Sequence, residues 1–256
     1  MAEQHIVVTG GGSGIGRATA VLAAASGARV SVLDRDHEAA QRTVQAAAAG
    51  AAHAYPCDVT DGTTLRTVLD AAERASGPIT GLVAAAGVDR GGPAHQLPEE
   101  VWREVVDVNL TGAFLAARDV LRRMVEAGTP GALVLCSSPA AFVGFAAGGA
   151  SAYAASKGGV SALTRSMAVD YAAYGIRVNA VVPGSTETPL MWAAVAPADR
   201  DAMRKQVERE IPLGRLADPT EPARAALWLL GQESSYVTGS HLVCDGGVLA
   251  KASISV

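Results

Sequence analysis

Tyr153 and Lys157 stand four residues apart in a stretch with helical patterning, which puts both side chains on one face, about one turn apart. A free tyrosine has a pKa of about 10, too high for a base near neutrality, and an ammonium held close favours the phenolate and lowers it. Such a pair could move a proton on and off a hydroxyl or carbonyl oxygen. Ser138 ends an upstream apolar run that reads as a strand, so its hydroxyl could reach the same edge and hold a substrate oxygen; Ser137 beside it is the alternative for that role. Taken alone, Tyr-x-x-x-Lys spacing arises in any helix by chance and equally describes a core tyrosine and a surface lysine.

A second group of residues has the composition of a phosphate cradle. The apolar run His5–Thr9 leads directly into Thr9-Gly10-Gly11-Gly12-Ser13-Gly14-Ile15-Gly16, where a helical pattern begins. Glycines at such a strand–helix turn let backbone approach a pyrophosphate, and the helix start offers unpaired N–H groups and a positive dipole end. Asp34 lies eighteen residues past Gly16, at the end of the next β-branched run. A carboxylate there can accept from both ribose hydroxyls of an adenosine and repels a 2′-phosphate, which favours NAD over NADP. The neighbouring Arg35 could tolerate a phosphate, so the strictness of that preference stays open.

The elements that must position these residues follow from hydrophobic periodicity. Short β-branched runs at His5–Thr9, Arg29–Leu33, Ala52–Cys57, Thr80–Ala86, Ala132–Ser137 and Ile176–Val182 alternate with Ala-rich helical stretches. The helices are expected at Gly14–Ser26, Asp36–Ala49, after the capping pair Thr60-Asp61, from about Pro98 to Ala127, and over Ser151–Tyr174. Strict alternation of this kind predicts a parallel sheet with helices on both faces. No linker, charge block or repeat divides the chain, so residues 1–256 read as one domain. Pro183–Pro212, with four prolines, reads as a long loop and a candidate substrate lid.

The chain has 49% hydrophobic and 18% charged residues and a net charge of −4, without a Lys/Arg stripe. That excludes disorder and disfavours nucleic-acid and anionic-membrane partners. Met1-Ala2-Glu3-Gln4-His5 lacks the basic start and apolar run of a signal peptide, and no apolar stretch reaches the roughly 18 residues of a membrane span. Cys57, Cys136 and Cys244 are odd in number and far apart, which fits reduced thiols in a cytoplasmic protein. The five histidines form no pair at metal-ligand spacing.

In order and spacing, these motifs resemble the compact, NAD-dependent branch of the short-chain dehydrogenase/reductase family over nearly the whole chain. The family's turn motif is matched at Thr9-Gly10, Gly14 and Gly16, its strand-end acidic dipeptide by Asp58-Val59, and its late Asp-Gly-Gly by Asp245-Gly246-Gly247. The resemblance implies a doubly wound (Rossmann) α/β sheet of about seven strands. It implies a catalytic tetrad of Asn109, Ser138, Tyr153 and Lys157, with Asn109 helping to hold a water and Lys157 also binding the nicotinamide ribose. Cofactor contacts are expected from Gly10, Ser13, Gly14, Ile15, Gly16, Asp34, Asp58, Val59, Ala85, Tyr153, Lys157, Pro183, Gly184, Thr186 and Thr188. The family's Asn-Asn-Ala-Gly is Ala84-Ala85-Ala86-Gly87 here, so only backbone contacts near Ala85 carry over. The Ser138–Tyr153 interval, fifteen residues, is slightly longer than the family often shows.

The expected activity is interconversion of a secondary alcohol and a ketone by hydride transfer with NAD, Tyr153 acting as acid/base and no metal required. Ser138, Phe142, Phe145, Tyr153, Met191 and Trp192 are the expected substrate contacts and suggest a neutral, moderately hydrophobic, even cyclic substrate; Trp192 and Met191 read equally well as lid residues packing on helices. His95 reads as an exposed loop residue, and Trp102 and Trp228 as core or subunit-contact residues. By analogy with relatives, a homotetramer is expected, with Lys251–Val256 as a tail able to reach a neighbouring subunit. Two rival readings stand beside this one: an NADPH-dependent ketoreductase of the ketoacyl-carrier type, which Asp34 argues against, and a non-enzymatic nucleotide-sensing protein on the same fold.

Overall fold

Each apolar β-branched run becomes a strand because it can be buried on both faces at once. The computed structural model describes residues 1, 4–145, 148–193 and 195–251. In chain order the elements are β1 (His5–Thr9), α1 (Gly14–Ala25), β2 (Arg29–Asp34), α2 (His37–Ala46), β3 (Ala52–Pro56), α3 (Gly62–Ser76) and β4 (Gly81–Ala84). There follow α4 (Glu99–Val106), α5 (Gly112–Ala127), β5 (Gly131–Cys136), α6 (Ser151–Tyr171), β6 (Ile176–Pro183), α7 (Arg200–Glu210), α8 (Thr220–Leu230) and β7 (His241–Cys244). The strands form one sheet in the order β3-β2-β1-β4-β5-β6-β7, all pairs parallel.

Successive strand residues point to opposite faces, and the core divides accordingly. Val7, Leu82, Leu133 and Val178 pack with α3, α5 and α6. Ile6, Val8, Val32, Val83 and Val134 pack on the other face against Ala20, Ala23 and Ala24 of α1 and Ala226 and Leu229 of α8. Small helix residues let α1 and α8 lie close to the sheet and to each other. The strand order reverses between β1 and β4, so their connections leave for opposite faces and open a crevice at the carboxyl ends of the strands.

Capping sets the helix starts. Asp61 caps α3, its carboxylate accepting from the Thr63 and Thr64 amides, and Asp36 caps α2 through Ala39. Two expectations need correction. The stretch from Pro98 to Ala127 is interrupted by a π-helical turn, Asp107–Thr111, which separates α4 from α5. Pro183–Pro212 is no continuous loop, since it contains α7, a helix with no buried residue and therefore no apolar stripe for periodicity to register. The tail from residue 252 onward lies outside the described residues. Among those described, no helix is long and apolar enough to cross a membrane.

Candidate active site

The crevice holds a cavity of about 320 Å³, running from the glycine turn past the ends of β2, β4 and β5 to the segment after β6. Its floor is built where side chains are excluded. Gly10 has φ +65°, and a Cβ there would stand 2.6 Å from Ala86 Cα; one at Gly16 would stand 2.2 Å from the Gly10 carbonyl oxygen. Only glycine fits at either position. Ser13 is the N-cap of α1, and its side chain makes no capping bond, which leaves the hydroxyl and the helix start facing the cavity. Gly14 and Ile15 complete this wall.

Asp34 lines the cavity at the tip of β2, held by the Gly12 amide at 2.9 Å and the Asp36 amide at 3.0 Å. Each carboxylate oxygen thus retains acceptor capacity. Asp58 and Val59 follow β3, with Asp58 fastened by the amide and hydroxyl of Thr60. Ala85 extends β4, its amide donating to the Thr9 carbonyl. Asp58, Val59 and Ala85, together with Arg35, Pro183, Gly184, Thr186 and Thr188, all line the same cavity. A glycine floor, a helix N-terminus and a carboxylate at the second strand tip fit a dinucleotide: pyrophosphate on the turn, adenosine ribose at Asp34.

Tyr153 and Lys157 meet this cavity from α6, with Lys157 Nζ 5.6 Å from the Tyr153 ring centroid. Lys157 is buried and donates to the Cys136 carbonyl at 2.8 Å. Burial pushes the Tyr153 hydroxyl well above the ordinary tyrosine value; the neighbouring Cys136 and Asp89 act the same way, while a hydrogen bond from Ser138 pulls it down. Burial also lowers Lys157, with Cys136 and Asp89 opposing. Desolvation thus sets the direction of the Tyr153 shift in the free protein, opposite to the depression expected from Lys157.

The two serines separate by what their hydroxyls already do. Ser137 reaches the cavity wall, yet its hydroxyl is engaged by Ser161 at 2.7 Å and by the Lys157 carbonyl at 3.3 Å. Ser138 is the one that bonds Tyr153, and it otherwise accepts only from the Ala140 amide at 3.3 Å. Asn109 sits behind the cavity in the π-helical turn. Its Oδ1 accepts from the Val88 amide at 2.8 Å, and its Nδ2 donates to the Val88 carbonyl at 2.9 Å and to Ser156 at 3.1 Å. The side chain thus fastens the chain after β4 to α6, with one Oδ1 lone pair left over.

Of the expected substrate contacts, Met191 lines the cavity beside Pro189 and Leu190. Trp192 does not: it is buried with Ile211 and Leu216, and its Nε1 donates to Glu187 at 2.7 Å. Phe142 and Phe145 also lie off the cavity wall, both about half-exposed, with Phe142 edge-on to His241 at 5.5 Å. The short 3₁₀ turn Pro139–Ala141 after Ser138 carries the chain away before either ring can turn inward. His95 is exposed, and Trp102 and Trp228, each 40% exposed, are not core residues. Asp245 fastens the late Asp-Gly-Gly turn by accepting from the Gly247 and Leu249 amides, and a Cβ on Gly184 would meet its Cα at 2.6 Å.

Sequence reasoning missed Val88, Asp89, Val108 and Cys136, all on the cavity wall. Their signal was position: Asp89 follows the carboxyl end of β4, where doubly wound sheets bind ligands. No group of three or more His, Cys, Asp or Glu among the described residues could hold a metal ion.

With this geometry in place, comparison with known proteins is direct. The sequence model of a family described as Enoyl-(Acyl carrier protein) reductase matches residues 10–249. The 2,5-dichloro-2,5-cyclohexadiene-1,4-diol dehydrogenase of Sphingobium indicum is 41% identical over 252 residues, 98% of each chain. The cis-4-hydroxycyclohexanecarboxylate dehydrogenase of Sinomonas cyclohexanicum is 43% identical over 253 residues, 97% of this chain and 98% of its own. A crystal structure of a short-chain type dehydrogenase/reductase from Mycobacterium marinum superposes with a TM-score of 0.90 at 34% identity, covering 97% of this chain and 96% of that one. A parallel seven-stranded sheet, a glycine-floored crevice at its switch point and similarity along the whole chain identify this protein as a member of the short-chain dehydrogenase/reductase family of oxidoreductases.

Proposed function

We propose that the protein is an NAD-dependent dehydrogenase that interconverts a secondary alcohol and a ketone, with Tyr153 as acid/base. The observation that carries this reading is the meeting of Tyr153 and Lys157 in one cavity with the glycine turn and Asp34, with Ser138 behind the wall hydrogen-bonded to Tyr153. Relatives named for oxidising ring-bearing alcohols support a cyclic substrate for this chain as well.

In the oxidation direction, Ser138 donates to the substrate oxygen and orients it toward Tyr153. Tyr153 as phenolate takes the hydroxyl proton as the carbon–hydrogen bond breaks. The nicotinamide ring, when bound, supplies the hydride acceptor. Lys157, anchored by the Cys136 carbonyl, presents its ammonium to Tyr153 and to the ribose side of the cavity. Asn109 positions this set indirectly, through Val88 and Ser156. In reduction, Tyr153 returns the proton to the forming alkoxide. Asp34 favours NAD because a 2′-phosphate would lie against its carboxylate. Assembly as a cytoplasmic homotetramer belongs to the same reading, and light scattering should give four times the 25.9 kDa chain mass.

The test is Tyr153→Phe. NADH binding, followed by fluorescence, should persist while turnover of a panel of cyclic secondary alcohols falls by about 10³-fold or more. Near-normal turnover in this variant removes Tyr153 from the chemistry. NADH binding by the wild type with no turnover of any alcohol or ketone would favour the nucleotide-sensing reading. Preference for NADPH in a parallel titration would favour the ketoreductase.

A further inference from the structure

The proton-transfer set leaves one charged side chain in the reaction cavity without a task. Asp89 lies on the cavity wall with Tyr153 and Lys157, near enough that its charge raises the one and Lys157 steadies it in turn. Asp89 is exposed at the cavity mouth, and the wall on its inner side partly desolvates the carboxyl and pushes it above the ordinary aspartate range. Its backbone is fastened on both sides. Val88 is clamped by Asn109, and Gly92 pairs as a parallel bridge with Ala150, just before α6. Between them, a Cβ on Gly91 would stand 2.2 Å from the Gly149 carbonyl oxygen, so this crossing requires glycine.

The other acidic residues of the cavity are held by groups of the protein itself. Asp34 accepts from Gly12 and Asp36, and Asp58 from Thr60. The Asp89 carboxylate, by contrast, makes no hydrogen bond or ion pair with a described residue. A carboxylate held at the exposed rim of a reaction cavity loses water when a ligand enters, and a donor on the ligand replaces that water where an apolar surface would leave the charge unpaired.

We infer that Asp89 accepts a hydrogen bond from a second hydroxyl of the substrate, so that the alcohol oxidised at Tyr153 is one hydroxyl of a neutral diol or polyol. This rests on the dehydrogenase reading above and narrows it. A hydroxyl suits the site better than an ammonium, since the Lys157 cation already occupies the same wall and a substrate cation near the reacting carbon opposes hydride loss. A carboxylate-bearing alcohol is repelled outright.

The experiment measures kcat/KM with NAD for cyclohexanol, for the cis and trans 1,2- and 1,4-cyclohexanediols, and for trans-2-aminocyclohexanol. It compares the wild type with Asp89→Ala and Asp89→Asn. The wild type should prefer at least one diol over cyclohexanol by about 10- to 100-fold, the worth of a charge-assisted hydrogen bond. Asp89→Ala should lower that diol-to-monool ratio at least tenfold, mainly through KM, and Asp89→Asn, which keeps a neutral acceptor, should restore part of it. Preference for cyclohexanol or the amino alcohol overturns the inference. Equal losses on both substrates with a displaced pH profile also overturn it, assigning Asp89 to the electrostatics of Tyr153 instead. Turnover of cyclohexanol with no diol preference defeats this inference alone, whereas no turnover of any alcohol defeats the dehydrogenase reading with it.

Discussion

Asn109 holds Val88 by both of its peptide groups, accepting from the amide at 2.8 Å and donating to the carbonyl at 2.9 Å. Val88, four residues past the end of β4, has left the sheet ladder, and a side chain from the π-helical turn supplies its partners. Asn109→Leu removes both partners at once and leaves two backbone groups unsatisfied in a partly buried site. The variant should be less stable by about 2–4 kcal/mol, read from urea unfolding. Its kcat should also fall, because the wall carrying Gly87, Val88 and Asp89 loses its anchor to α6. Wild-type stability in Asn109→Leu would show that water replaces the clamp without cost.

Desolvation at Tyr153 fixes the direction of a pH dependence. Burial raises the hydroxyl pKa, so the proton-bearing form dominates at neutrality and the phenolate grows as pH rises. Oxidation needs the phenolate, and its kcat/KM should climb between pH 7 and 9, by up to about tenfold per unit where a single deprotonation controls the rate. Ketone reduction needs the protonated form and should not gain over the same range. An oxidation profile that falls with pH over this interval would contradict Tyr153 as the base.

The two backbone amides on Asp34 fix its carboxylate at the adenosine end of the cavity. Asp34→Ser keeps a small polar group while removing the charge that opposes a 2′-phosphate. NAD kcat/KM should drop at least tenfold and NADP use should rise, with Arg35 on the same wall available to the phosphate. Paired titrations of both cofactors measure the ratio. An unchanged ratio would mean that Asp34 holds only the glycine turn.

How much of this was legible in the sequence depended on whether a residue's role is local. The strands were readable because Ile6, Val7, Val8 and their counterparts must be apolar on both faces, and the glycine turn because Gly10 and Gly16 admit no Cβ. Tyr153 and Lys157 were readable through helix spacing. Roles that depend on what lies across the fold were not. Asp89 gains meaning only from the crossing of Gly91 with Gly149, and Asn109 only from Val88. Trp192 read equally as cavity lining or as packing; both it and Met191 join the cluster with Ile211 and Leu216, and of the two Met191 also reaches the cavity. The charged sequence of α7 hid a helix that packs through one ion pair and the single apolar residue Val207 rather than an apolar stripe.

That ion pair supports a final prediction. Glu187 accepts from Trp192 Nε1 at 2.7 Å and pairs with Arg204 of α7 at 2.5 Å, while the Arg204 guanidinium lies 5.2 Å from the centroid of the Trp192 ring. The Arg204 contact holds the Glu187 carboxyl below the usual carboxylate range. One carboxylate therefore ties α7 to the segment that carries Thr188 and Met191 onto the cavity. Glu187→Ala releases both partners, and α7, which has no fully buried residue, keeps only the partly buried Val207 against the Trp192 cluster. Amide hydrogen exchange across residues 187–193 and 200–210 should rise, and substrate KM should increase about three- to tenfold with a smaller change in kcat. Trp192→Phe keeps the ring under Arg204 and loses only the Nε1 bond, so it should give a weaker version of both effects. Exchange unchanged from wild type in Glu187→Ala would show that the covering segment is held by Ile211 and Leu216 packing on Trp192 rather than by the carboxylate.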